Sequence, residues 1–84
     1  LSALHLEAGR FADAIATSQR LLTADNLDED AWRSIMTAHA RAGERSQALR
    51  VYQQVADLMQ REIDSEPDRA TRALAQRIQK GETV

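Results

Sequence analysis

Displaced by 34 positions, this chain falls on itself. His5 meets His39, Ala8 meets Ala42, Gly9 meets Gly43, Ala14 meets Ala48 and Gln19 meets Gln53. Large aliphatics keep the same register: Leu1 meets Ile35, Ile15 meets Leu49 and Leu21 meets Val55. A repeat of roughly 20–50 residues marks a supersecondary unit that cannot bury its apolar face alone and stacks on its neighbours. The best-matched stretch runs from Gly9 to Ile15 and again from Gly43 to Leu49, each reading G-x-x-x-x-A followed by an aliphatic. Glycine fits the position just past a helix end, where the backbone turns left-handed. The small alanine lets the next helix approach closely, and the aliphatic after it fills the space between.

The chain is rich in Ala, Leu, Arg, Gln and Glu, all good helix formers, and no run alternates with period two. The fold class is therefore all-α: antiparallel helix pairs stacked as in tetratricopeptide repeats, whose period is also 34 residues. Five helices are predicted, over Leu1–Ala8, Phe11–Ala24, Glu29–Ala42, Arg45–Glu62 and Asp68–Gln79. Asn26 or Asp28 can cap the third, and Asp68, after the only proline, can cap the last. The expected inner faces are Phe11, Ala14, Ile15, Ser18, Leu21 and Leu22 on the second helix, and Ala31, Ile35, Ala38 and Ala42 beside Trp32, Met36 and His39 on the third. On the fourth they are Ala48, Leu49, Tyr52, Val55, Ala56, Met59 and Ile63, and on the last Ala70, Ala73, Leu74 and Ile78. That last helix should close the stack, with Leu74 and Ile78 against Tyr52, Val55 and Met59. Residues 1–80 make one domain with a truncated start, and residues 81–84 should fray. The uncovered edge at Leu1, Leu4 and Phe11 is expected to self-associate.

Beyond the repeat, Asp25-Asn26-Leu27-Asp28-Glu29-Asp30-Ala31 leading into Ile35-Met36 resembles the D-P-L-D-E-x-A-x-x-x-L-M signature of the bacterial transcriptional activator domain. Ala42-Gly43-Glu44 through Ala48-Leu49-Arg50-Val51-Tyr52 is similar to that family's A-G-R-x-x-E-A-L-R-x-Y. Glu62-Ile63-Asp64-Ser65-Glu66-Pro67, followed by Arg72-Ala73-Leu74, resembles its E-L-G-x-E-P and R-A-L. Asn26 replaces the family proline, and Asp64 and Ser65 replace the glycine and its aliphatic partner. The resemblance implies a tetratricopeptide-like regulatory module of a transcription activator, with DNA bound by a separate upstream winged-helix domain.

The remaining chemistry points to binding. Without cysteine, thiol nucleophiles, disulfides and thiolate metal sites are excluded. No serine lies in a nucleophile motif and no glycine-rich phosphate loop occurs, so no enzyme and no cofactor is expected. His5 and His39 share one slot of successive repeats and read as packed, hydrogen-bonded side chains. The acidic run Asp25–Asp30 lacks a calcium loop's glycine and bidentate glutamate, and caps a helix instead. Trp32 and Tyr52 fall on apolar faces and read as core. Net charge is -2, which disfavours direct DNA binding by this chain. A line of basic residues on the last helix, Arg69, Arg72, Arg77 and Lys80, is the one candidate for phosphate contact. No apolar run spans a membrane, so a cytoplasmic home is expected. In a stacked array the first helix of each pair lines the concave face. That face offers Ala3, Leu6 and Glu7, then Asp30, Arg33, Thr37, Ala40 and Arg41. Asp30, Arg33, Thr37 and Arg41 are the candidate partner-binding residues, the two arginines being able to clamp a carboxylate. The expected partner is a protein, or a second copy of the chain. A generic tetratricopeptide adaptor is the alternative reading.

Overall fold

A computed structural model describes residues 11–84. Four helices occupy them: α1 (Phe11–Ala24), α2 (Glu29–Arg41), α3 (Arg45–Ile63) and α4 (Arg69–Gln79). No strand occurs among the described residues. The predicted helix at Leu1–Ala8 lies outside them, and with it Leu1, Ala3, Leu4, His5, Leu6 and Glu7.

Local chemistry sets each boundary. Asp28 caps α2, its carboxylate accepting from the Ala31 N–H at 3.4 Å, so Asp28 rather than Asn26 takes that role. Asp68 precedes α4 and accepts from the Arg69 N–H at 3.2 Å. Gly43, at φ 81°, ends α2 with paired bonds from the Gly43 N–H to Ala40 O and from the Glu44 N–H to His39 O. Gly81, at φ 79°, repeats the arrangement after α4, through the Gly81 N–H to Ile78 O and the Glu82 N–H to Arg77 O. Asp64 takes the left-handed position after α3, at φ 51°, where the family pattern has glycine. Aspartate is one of the few side chains that tolerates this region. Its carboxylate accepts from Gln60 Nε2 at 2.6 Å.

Helix α2 is central, packing on α1, α3 and α4, while α3 also packs on α4. The start of α4 lies beside the start of α2, where Glu29 bonds both Asp68 and Thr71. Its end lies beside the start of α3, where a Cβ added to Gly81 would meet Arg45 Nη1 at 3.2 Å. So α4 runs parallel to α2 and antiparallel to α3, the arrangement a tetratricopeptide-like stack requires.

Ile35, Met36, Ala48, Val51, Ala75 and Ile78 form the core, and Ile15, Leu22, Trp32 and Tyr52 pack around it. The repeat register holds in the packing, since Ala14 and Ala48 are both fully buried. Helix α4 departs from prediction. Thr71, Ala75 and Ile78 are its buried residues; Leu74 is half-buried, and Ala70 and Ala73 are exposed. Pairing them with Ala31, Ile35 and Ala38 of α2 gives an offset of 40 positions at all three places. The link from Asp64 to Asp68 and the longer α3 insert six residues into the repeat, so that α4 begins, as its buried face does, 40 rather than 34 positions after α2. On α3, Val51 is buried although it lies outside the expected face. Leu21, Ala42 and Ile63 are exposed, because each lies near a helix end that overhangs the core.

A groove between α2 and α4

Helices α2 and α4 lie side by side and leave an open groove between them. Asp30, Arg33, Ser34 and Thr37 line its α2 wall. The α4 wall is Ala70, Ala73, Leu74 and Arg77, so the small exposed alanines make it shallow.

A polar knot closes one end. Thr71 is fully buried, and its hydroxyl donates to Glu29 Oε1 at 2.6 Å. The same oxygen of Thr71 accepts from Arg33 Nη1 at 2.8 Å. Glu29 Oε1 also accepts from the Asp68 N–H at 2.9 Å, which ties the carboxylate to the N-terminus of α4. The second guanidinium nitrogen of Arg33 bonds Asp30. At the other end, Arg41 directs Nε and Nη2 to the Val84 carbonyl at 3.1 and 2.8 Å. Arg77 Nη2 donates to Thr83 O at 2.7 Å, and its Nε lies 3.7 Å from the Glu82 carboxylate. Residues 82–84 therefore turn back across the C-terminal ends of both helices.

All four sequence-predicted partner residues belong to α2. Asp30, Arg33 and Thr37 line the groove, and Arg41 stands at its tail end. Arg33 has a structural bond across to α4 that no helical spacing announces, since its partner lies 38 residues away. The residues missed by sequence reasoning are Glu29 and Thr71. From the sequence, Glu29 is only part of an acidic helix start. Arg72 faces Glu66 at 3.9 Å, and no hydrogen bond or ion pair among the described residues engages the side chains of Arg69 and Lys80. His39 is mostly buried, with Nδ1 2.9 Å from Glu44 Oε1. Glu44 consequently gives α3 no side-chain cap. Trp32 packs on the core and donates Nε1–H to Asn26 O at 2.9 Å. The acidic run serves turns and caps: Asp25 accepts from the Leu27 N–H, and Asp28 from that of Ala31.

The family model for the bacterial transcriptional activator domain matches residues 1–79. The chain belongs to that family. Bacterial transcriptional activator domains are parts of transcription regulators and are not an enzyme family. No curated protein and no solved structure matches the chain significantly. The activator domain has no helix, among the described residues, long and apolar enough to cross a membrane.

Proposed function

We propose that this activator domain is the protein-contact module of a cytoplasmic transcription regulator, and that it performs no catalysis. Its partner lies in the groove between α2 and α4, against Asp30, Arg33, Thr37 and Arg41. The observation that supports this reading is the groove itself. It pairs an alanine-lined wall with a wall of charged and hydroxyl side chains, in a chain whose family membership places it in transcription control. A shallow trough with small side chains admits another backbone closely, and the polar wall fixes its register. DNA contact belongs to a separate winged-helix domain, because the 11 basic residues of this chain are outweighed by 13 acidic ones and leave it a net charge of -2.

Filling the groove from both walls tests this. Thr37→Arg and Ala73→Arg both alter groove-lining positions outside the buried core and leave the polar knot untouched. The pair should lower activation of a reporter gene by about ten-fold, the scale of losing one well-placed contact. Helix content and thermal unfolding should stay unchanged. Full activation by the doubly substituted protein would refute the reading and favour a generic adaptor that uses another face.

A further inference from the structure

The geometry points to residues 82–84 as a built-in ligand of the groove's Arg41–Arg77 end, competing with the partner for it. The inference rests on the groove reading above and adds the chemistry of what binds there. Three features of the tail are each met at or beside that end, where Arg77 lines the groove and Arg41 and Ile78 adjoin it. The Glu82 carboxylate lies 3.7 Å from Arg77 Nε. The carbonyls of Thr83 and Val84 accept from Arg77 and from both donors of Arg41. The Val84 side chain is partly buried and packs against the core cluster that holds Ile78. Carboxylate, backbone carbonyls and aliphatic side chain together make the set by which a grooved surface takes up a short peptide segment. The Arg41 bonds use a backbone carbonyl, so they need no free chain end.

The partner segment that displaces the tail therefore carries the same pattern: an acidic residue two places before an aliphatic one, in non-helical backbone. Charge supports the acidic requirement, since taking the tail away leaves Arg41 and Arg77 at that end without the acceptors they now bond. A self-ligand on so short a tether acts at an effective concentration on the order of millimolar. Weak contacts then suffice to hold it, and a partner of ordinary affinity removes it.

The test uses a blocked peptide repeating residues 80–84, titrated by NMR into the whole chain and into the variant Glu82→Lys with Val84→Asp. The released variant should bind the peptide at least ~10-fold more tightly, with shifts at Thr37, Arg41 and Arg77. A control peptide with lysine in place of the glutamate should bind neither. Arg41→Ala, which leaves the tail sequence intact, should make the Thr83 and Val84 amides more mobile on the nanosecond scale. Equal affinity in both chains, equal binding of the control peptide, or an unmoved tail in Arg41→Ala would each overturn the inference. Should the Thr37 and Ala73 pair abolish activation while the released chain ignores the peptide, the groove stands and the self-ligand falls.

Discussion

Replacing Thr71 by valine keeps the shape of a fully buried side chain and removes its hydroxyl. Two bonds go with it, the donation to Glu29 Oε1 at 2.6 Å and the acceptance from Arg33 Nη1 at 2.8 Å. Each has a charged partner, and such bonds contribute about 1.5–3 kcal/mol apiece. Both partners retain other contacts: Glu29 keeps the Asp68 N–H, and Arg33 keeps Asp30. The Arg33 side chain is also 23% exposed, so water recovers part of the loss. A net destabilisation of about 2 kcal/mol follows, below the summed range of the two bonds. In a domain of this size that lowers the melting temperature by about 8–16 °C. Thr71→Ser, which keeps the hydroxyl and gives up one methyl group, should cost about 1 kcal/mol. Urea denaturation of both variants, with a double-mutant cycle against Glu29→Ala, separates packing from hydrogen bonding. The cycle should show coupling of about 1 kcal/mol or more between positions 29 and 71. A valine variant as stable as the parent, or a coupling indistinguishable from zero, would refute the claim that this polar knot docks α4.

Other outcomes are accessible to the same measurement. Gly43→Ala should destabilise by about 1 kcal/mol although nothing lies within 4 Å of the added Cβ, because the strain at φ 81° is in the backbone. Asp64→Gly should do the reverse, stabilising by roughly 0.5–1 kcal/mol by relieving φ 51°, with only an exposed bond from Gln60 given up. Ile78→Ala, at 2% exposure, should cost about 2–4 kcal/mol. Leu74→Ala, half-buried at the groove, should cost about half as much. Equal losses at the two sites would restore the helix face read from the sequence.

The repeat made most of this fold legible. A shift of 34 positions pairs Ala14 with Ala48, and both turn out to be the fully buried points where a helix leans on its neighbour. Glycine and aspartate at Gly43, Asp28 and Asp68 marked helix ends because their local chemistry is self-contained. What stayed hidden was the contact between α2 and α4. Polarity placed Thr71 outside the apolar face, so the expected face of α4 was rotated toward Ala70 and Ala73. The reason for burying Thr71 is Glu29, 42 residues upstream, and no periodicity connects two single polar side chains at that distance. Val51 was missed for a related reason. The repeat has Thr17 at its place, a residue that carries no apolar signal.

The same displacement explains why a candidate site lies where it does. Under a strict 34-residue register the counterpart of Ala31 would be Ser65, which lies with Pro67 in the non-helical link before Arg69. The longer α3 and the Asp64–Asp68 link instead delay α4, so that Thr71, Ala75 and Ile78 face the core and Ala70 and Ala73 face outward. Burying a hydroxyl is unfavourable unless it is bonded, and Glu29 and Arg33 meet that demand from α2. Bonding it draws the N-terminal ends of the two helices together. The alanines, left facing away from the core by the same insertion, then form the wall that Thr37 and Arg33 face. Docking of the last helix and formation of the groove are thus one event, and loosening the knot at Thr71 should blunt partner binding at Thr37 without any substitution in the groove.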